Sequence, residues 1–162
     1  MRNLFLLLMI CTGLYSCRGG TDPIYSQGFS APELSFNADG GSSIITSQRD
    51  EWWFDFCCNI DDIYGVITEF PRCKDVFPDA GYSKDNKPGT CSDSTLSVTY
   101  DIINGHFEAV KIESNWFQVI KETPKQINFI IKANLTGYTR HLQLYVNDRM
   151  GTKIIISQSA AE

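Results

Sequence analysis

Apolar residues recur at every second position through much of the chain after residue 33, and this alternation constrains the fold more than any other feature. It is clearest in QINFIIKA and HLQLYVN, where the aligned apolar positions are Ile127, Phe129, Ile131 and Ala133, then Leu142, Leu144 and Val146. Successive side chains of a strand point to opposite faces, so each segment predicts a strand with one buried face. Convincing helical periodicity is absent after residue 33, and we therefore predict an all-β fold.

Turn residues separate the predicted strands. Asn104-Gly105, between LSVTYDII and HFEAVKIE, is a strong signal for a two-residue hairpin. Asp39, Gly40 and Gly41 predict a second turn, after which SSIITSQ is expected to pair with LSFNA. About eight short strands with turns between them favour a β-sandwich of immunoglobulin-like type.

The N-terminal residues 1–16 read as an export signal. One positive charge, Arg2, precedes the apolar run Leu4–Ile10, which is too short to span a bilayer. The stretch Leu14–Cys17 resembles the lipobox of bacterial lipoproteins, where a signal peptidase cuts before a cysteine that carries lipid. This resemblance implies a lipid on Cys17 and an outer-membrane lipoprotein of the cell envelope, facing either the periplasm or the surface. The alternative is an ordinary secretory signal with a free cysteine.

Composition divides the remaining chain into a linker and one domain. Residues 17–33 are rich in Gly, Ser and Pro, and they predict a flexible linker. Residues 34–159 are numerous enough for one domain with its own core. The formal net charge of -5 offers no electrostatic reason to bind nucleic acid. We expect no cofactor.

A segment at 59–94 interrupts the strand pattern. Only Ile63–Phe70 reads as a strand there, and the turn-rich remainder predicts a functional excursion or a disulfide-held cap. The cysteines of the domain lie in or beside this insertion: Cys57, Cys58, Cys73 and Cys91. Adjacent cysteines in a strand point to opposite faces, so we expect each of the first two to bond to one of the last two. A four-thiolate zinc site is the alternative, which adjacent ligands and an oxidising compartment disfavour.

Four segments together carry a resemblance to a known family: LSFNADGGSSIITS, SNWFQVI, INFIIKANLTGYTRHLQLYVN and GTKIIISQS. The matching positions are Gly40, Gly41, Trp116, Phe117, Asn134, Arg140 and Gln158. This ordered set resembles the BACON domain family of Bacteroidetes, whose members are immunoglobulin-like sandwiches. The resemblance covers residues 34–56 and 96–159, and the cysteine-bearing insertion departs from it. It implies an association with glycan-degrading systems, in which such domains bind carbohydrate or act as spacers.

Residues 129–147 have a structural interpretation. In a sandwich, FIIKA and HLQLYV would lie in opposite sheets, joined by a loop across one end of the domain. Asn134 and Gly137 suit this loop because both tolerate unusual backbone angles. We expect Arg140 to hold the loop by donating hydrogen bonds to carbonyls, and Trp116 to lie in the core. The alternative for Asn134 and Arg140 is a contact with a ligand.

Aromatic residues in or beside the insertion are the candidate carbohydrate contacts: Trp52, Trp53, Tyr64, Phe70 and Tyr82. Sugar binding needs exposed aromatic faces together with planar polar partners for hydroxyl groups. Neighbours in a strand cannot both face the core, so one of the two tryptophans is expected to point outward. The alternative is that the outward tryptophan packs under the insertion.

Other site chemistry has weaker support. An acidic cluster formed by Asp55, Asp61, Asp62 and Glu69 could attract calcium, although a solvated face is commoner. A thiol nucleophile would need a base, and the chain has only His106 and His141, both in strand-like runs. Nucleophile elbows, phosphate loops and metal-binding helix motifs are missing from the sequence. We therefore predict a non-catalytic domain that binds carbohydrate or mucin glycans; the alternative is a structural or adhesion module that contacts another envelope protein.

Overall fold

A computed structural model describes residues 28–60, 66–78, 84–147 and 151–161, with 56–60 and 66–68 described by their backbone alone. Within these ranges the chain forms eleven strands and no helix: β1 Glu33–Phe36, β2 Gly41–Thr46, β3 Trp53–Ile60, β4 Val66–Thr68, β5 Gly89–Ser92, β6 Ser97–Ile103, β7 His106–Glu113, β8 Phe117–Thr123, β9 Gln126–Ile131, β10 Arg140–Asn147 and β11 Thr152–Gln158. None of the described residues belongs to a helix that could span a bilayer.

The strands form two sheets that pack as a sandwich. A five-stranded sheet has the order β1-β11-β10-β3-β4, and a six-stranded sheet has the order β2-β9-β8-β7-β6-β5. The sets β3-β10-β11 and β2-β9-β8 match the C-F-G and B-E-D strands of immunoglobulin-like sandwiches. The predicted fold class is therefore confirmed. Strands β4 to β7 lie between the equivalents of C and D, which is where the chain adds to that plan.

The alternating segments supply the centre of the core. The apolar positions of β9 and β10 are buried, namely Ile127, Phe129, Ile131, Leu142, Leu144 and Val146. These strands lie in opposite sheets, as the pattern predicts. Burial of each such side chain contributes about 1.5–3 kcal/mol. Ala133 is exposed instead, because β9 ends at Ile131 and the chain then leaves the sheet.

The hairpin at Asn104-Gly105 forms as predicted. Ile103 pairs with His106, so β6 and β7 are joined by a two-residue loop. Both loop residues have positive φ, 51° for Asn104 and 80° for Gly105. Positive φ at both central positions defines the tight turn that matches the twist of the flanking strands.

The turn at Gly40 does not make a hairpin, and this prediction was wrong. Strand β1 pairs in parallel with β11, whereas β2 pairs with β9 in the other sheet. The turn therefore carries the chain from one sheet to the other. Gly40 has a φ of 77°, and a Cβ there would overlap the carbonyl oxygen of Ile131. The glycine permits this close crossing.

The folded domain begins before the boundary that composition suggests. Phe29 is buried and forms a bridge with Ser47, although it falls within the predicted linker at 17–33. The amide of Gln48 donates to the carbonyl of Gly28 at 2.8 Å. The linker prediction is thus wrong from Gly28 onward, because the buried aromatic ring anchors this short segment beside β2.

The disulfide pairing also differs from the expectation. Cys73 bonds to Cys91, with their Cα atoms 5.5 Å apart, within the range that disulfide geometry allows. The predicted bonds from Cys57 and Cys58 to these residues are therefore wrong. Cys57 and Cys58 lie on β3 of the five-stranded sheet, whereas Cys91 lies on β5, the edge strand of the other sheet. Oxidation of Cys73 and Cys91 also excludes the four-thiolate zinc site.

The disulfide holds the segment around Cys73, which we call the cap, against the core. In this cap, the ring of Phe77 packs edge-on against Tyr100 and Phe107 at centroid distances of 4.8 and 5.3 Å. The hydroxyl of Tyr100 donates to the carbonyl of Pro71 at 3.0 Å. The sequence left two alternatives for the insertion, a functional excursion or a disulfide-held cap, and this part of it is a disulfide-held cap.

Candidate functional site

The two adjacent tryptophans have opposite environments. Trp52 is 1% exposed and packs edge-on against Phe29 and Phe54. Its indole nitrogen donates to the carbonyl of Pro124 at 2.6 Å. Trp52 is therefore a core residue, and its prediction as a carbohydrate contact was wrong, since it presents no ring face to solvent.

Trp53 is the outward tryptophan, with 41% of its surface exposed. It begins β3 and lies directly opposite Asn147 of β10. Paired residues of antiparallel strands share a face of the sheet. An indole ring and a side-chain amide therefore stand side by side on the solvent side of the five-stranded sheet.

A β-bulge lies next to this pair. The β3–β10 register shifts between Tyr145 and Val146, which leaves Asp55 without a direct partner on β10. Bulges bend and twist a strand locally, and they often redirect a neighbouring side chain near functional sites. The bulge separates the Trp53–Asn147 pair from the regular ladder that follows.

The solvent side of β10 and β11 continues the surface begun by Trp53. We define the outer face by the side chains that alternate with the buried positions: Trp53, His141, Gln143, Tyr145, Asn147, Lys153, Ile155 and Ser157. Tyr145 pairs with Lys153, and Gln143 pairs with Ile155. All of them are half-buried except Trp53, which is exposed. The face thus extends over β10 and β11 and reaches β3 at Trp53.

Polar groups on the outer face also contact one another. The hydroxyl of Tyr145 donates weakly to Oε1 of Gln143 at 3.4 Å. Nδ1 of His141 lies 3.0 Å from Oγ of Ser157, within hydrogen-bond distance. Amides, hydroxyls and imidazole both donate and accept hydrogen bonds, as the hydroxyl groups of a sugar do. The outer face thus combines two aromatic rings, Trp53 and Tyr145, with groups that both donate and accept hydrogen bonds.

The other predicted site residues are not brought to this face. Phe70 is half-buried and packs against the core, so it contributes to packing. Tyr64 and Tyr82 lie outside the described residues, as does the proposed lipid-bearing Cys17.

The predicted calcium cluster is only partly within the described residues. Asp55 and Glu69 are exposed, whereas Asp61 and Asp62 lie outside them. Across the described segments, His, Cys, Asp and Glu side chains form no group of three or more that could hold a metal ion.

Apart from Trp53 and His141, the residues of the outer face were not singled out from the sequence: Gln143, Tyr145, Asn147, Lys153, Ile155 and Ser157. The signal that could have found them is the alternation itself. If Leu142, Leu144 and Val146 point inward, the intervening residues of the strand must point outward. Tyr145 lies on this strand, outside the insertion where aromatic contacts were predicted.

A second exposed feature is the loop between β9 and β10, residues 132–139, which contains the buried side chain of Asn134. This side chain is 1% exposed, and its amide nitrogen donates to the carbonyls of Tyr138 and Ser159 at 2.7 and 2.8 Å. Its oxygen accepts from the amide and hydroxyl of Thr136. Asn134 therefore has a structural role, but through its side-chain hydrogen bonds. Neither Asn134 nor Gly137 has a positive φ, so the backbone reason predicted for these two residues was wrong.

Arg140 stabilises the same end of the domain in a different way from that predicted. Its guanidinium carbon lies 5.6 Å from the centroid of the Trp116 ring, and Trp116 is buried as expected. Such cation–π contacts contribute about 0.5–1 kcal/mol at exposed sites. Gln158 instead donates from its amide nitrogen to the carbonyl of Lys132 in this loop at 2.9 Å, and to the carbonyls of Asn37 and Ala38 in the β1–β2 turn at 3.3 Å.

Two large side chains project from the fixed loop. Leu135 is 88% exposed and Tyr138 is 69% exposed. The segment 133–139 contains no charged residue. The loop therefore presents a small uncharged apolar tip, the Leu135–Tyr138 tip, on a backbone fixed by hydrogen bonds.

Comparison with known proteins supports the fold alone. No family model matches the chain, and no curated protein matches it either. The chain is similar to an NMR structure of a protein from Bacteroides thetaiotaomicron, with a TM-score of 0.51 and 17% sequence identity. The similarity covers 85% of this chain and 83% of the other.

Proposed function

We propose that this chain is a non-catalytic, lipid-anchored envelope domain that binds carbohydrate, including mucin glycans, through the outer face of its five-stranded sheet. The observation that carries the proposal is the exposed Trp53 directly opposite Asn147, with Tyr145 on the same face. An exposed indole offers a flat apolar surface to the C–H groups of a sugar ring. The neighbouring amides can satisfy the hydroxyl groups at the edge of that ring.

The BACON resemblance and the N-terminal sequence support the rest of the proposal. Gly40, Trp116, Asn134 and Gln158, four of the positions that carry the resemblance, hold the crossing turn or one end of the domain together. The lipobox-like stretch Leu14–Cys17 supports attachment of the domain to the outer membrane of a bacterial envelope through a lipid on Cys17. We assign no catalytic step, because the chemistry of the outer face is that of recognition.

A glycan array tests the proposal directly. The probe is the mature chain carrying Cys17→Ser, which prevents lipid attachment. We expect binding to a defined set of glycans, and Trp53→Ala should weaken it about tenfold or more, since stacking and the apolar contact are lost together. Ile44→Ala is the matched control, because Ile44 is an exposed apolar residue of the other sheet. Failure to bind any glycan would overturn the proposal.

The Leu135–Tyr138 tip favours a second candidate function, contact with another envelope protein. Its two large side chains lie in a segment, residues 133–139, that contains no charged residue, and the centres of protein interfaces are depleted in charge. The loop is already fixed by Asn134, so little conformational freedom would be lost on binding. A photoreactive amino acid at position 138 tests this candidate in the producing cell. A discrete adduct that Leu135→Asp abolishes and Trp53→Ala preserves would support it.

A further inference from the structure

We propose that the outer face binds an extended linear glycan along β10, with several consecutive sugar units in contact, and not a single terminal sugar. This inference rests on the proposed carbohydrate function and names the ligand class for the same site. It follows from the arrangement of the polar and aromatic groups on the strand.

The outward side chains of β10 lie in a single row. They are Asn147, Tyr145, Gln143 and His141, in order along the sheet from the Trp53 end. Alternate residues of an extended strand are about 6.8 Å apart, so the row spans about 20 Å. A single sugar ring can contact only part of a row this long.

The side chains of the row differ in type from one end to the other. Trp53 and Tyr145 place two aromatic rings toward one end, next to the amide of Asn147. Gln143 follows, and the His141–Ser157 pair ends the row with hydrogen-bonding groups. This order provides stacking at one end and hydroxyl recognition along the remainder.

The surroundings of the row favour contact with several units of a linear glycan over contact with its terminal sugar alone. Recognition of one terminal ring relies on a concave pocket that covers most of the ligand surface. Here the recognition groups lie on the face of a sheet, where Ile155 pairs with Gln143 and Lys153 pairs with Tyr145 on the β11 side. Repeated weak contacts with successive units would supply the affinity that one unit on such a surface lacks.

The two ends of the row should therefore contribute differently. Trp53 contacts the unit at its own end, so its loss affects every ligand length. Gln143 lies two alternations beyond Asn147 and contacts a unit that only longer ligands possess. A length-dependent effect of Gln143 distinguishes a bound chain from a bound terminal sugar.

Calorimetric titration of the Cys17→Ser mature chain with oligosaccharides of increasing length tests the inference. The probes are cello-, xylo-, chito- and malto-oligosaccharides and poly-N-acetyllactosamine fragments, each from one to six units. For at least one series we expect affinity to rise about tenfold or more between one and four units and then to level off. Gln143→Ala should lower affinity for four units about fivefold to tenfold and leave that for one unit unchanged. Gln126→Ala, an exposed glutamine of the other sheet, is the control.

The outcomes separate the two proposals. Equal affinity for one and four units, or an equal effect of Gln143→Ala at every length, would overturn the linear-chain inference and leave carbohydrate binding intact. Array binding to branched or terminal glycans without binding to any linear series would do the same. Absence of binding to every probe, on the array and in solution, would overturn both.

Discussion

Lys121 and Trp52 are joined by two contacts in the interior of the sandwich. The ammonium of Lys121 donates to the carbonyl of Trp52 at 2.6 Å and lies 4.1 Å from the centroid of its ring. The same ammonium pairs with the carboxylate of Glu108. The lysine side chain is almost completely buried. A buried charge with three partners fixes β8 against the residue that precedes β3.

Removal of this ammonium should destabilise the domain. We expect Lys121→Ala to lower the free energy of unfolding by about 3 kcal/mol, because Glu108 and the Trp52 carbonyl lose their partner inside the protein. Lys125→Ala is the control, since Lys125 pairs with Asp50 on the surface at 3.2 Å and should contribute less than about 1 kcal/mol. Urea unfolding measures both. Equal losses of unfolding free energy in the two variants would show that the buried contacts of Lys121 stabilise the domain no more than a surface ion pair does.

Two glycines with nearly the same φ should respond differently to substitution. Gly105 has a φ of 80° and open space where a Cβ would be, so Gly105→Ala should cost only about 1–2 kcal/mol for the left-handed conformation. Gly40 has a φ of 77°, but its Cβ would overlap the Ile131 carbonyl. We expect Gly40→Ala to lower the free energy of unfolding by clearly more than Gly105→Ala. Similar losses by thermal or urea unfolding would contradict the close crossing between the sheets.

The disulfide between Cys73 and Cys91 can be checked by mass spectrometry of the non-reduced protein after proteolysis. We expect a cross-linked peptide pair containing these two residues, and not a link from either one to Cys57 or Cys58. The bond encloses a segment with a sequence separation of 18, so Cys73→Ser with Cys91→Ser should cost about 3 kcal/mol. A peptide that links Cys91 to β3 would contradict the structure of the cap.

Asp93 should make part of the stability depend on pH. Hydrogen bonds from the amides of Leu96 and Thr95, and from the Thr95 hydroxyl, hold the pKa of Asp93 below its usual value. Its folded pKa is lower than its unfolded pKa, so this stabilisation is present above the unfolded value of about 3.9 and is lost as pH falls through the folded value. Urea unfolding of the native chain and of Asp93→Asn at pH 6 and pH 3 should show their difference shrinking at pH 3. A constant difference would contradict the assignment.

Short sequence patterns predict several elements of the fold, because neighbouring residues alone determine those elements. The alternation in β9 and β10 depends only on which neighbours are apolar, and Asn104-Gly105 encodes its turn in two residues. At Gly40 the turn signal is also correct, but the partner of β1 is β11, more than 100 residues away in the chain. A turn signal does not specify which distant strand completes a sheet.

The site is predictable only in part for a similar reason. Adjacent positions in a strand dictate that Trp52 and Trp53 face opposite ways, but not which of them is buried. That choice depends on Phe29, Phe54 and the Pro124 carbonyl, which surround Trp52. The neighbour of Trp53 is Asn147, and their pairing becomes visible only when β3 and β10 are aligned. The prediction of the disulfide bonds fails for the same reason, because cysteine pairing depends on distances between residues in the folded structure.

Mapping of chemical shifts in a two-dimensional amide spectrum tests the central claim most directly. The Cys17→Ser mature chain is titrated with the strongest glycan from the array. We predict perturbations of the Trp53 indole and of the side-chain amides of Asn147 and Gln143, with the Leu135–Tyr138 tip and the exposed side of the six-stranded sheet unchanged. Perturbations confined to that tip or to the six-stranded sheet, with the Trp53 indole unaffected, would contradict the account.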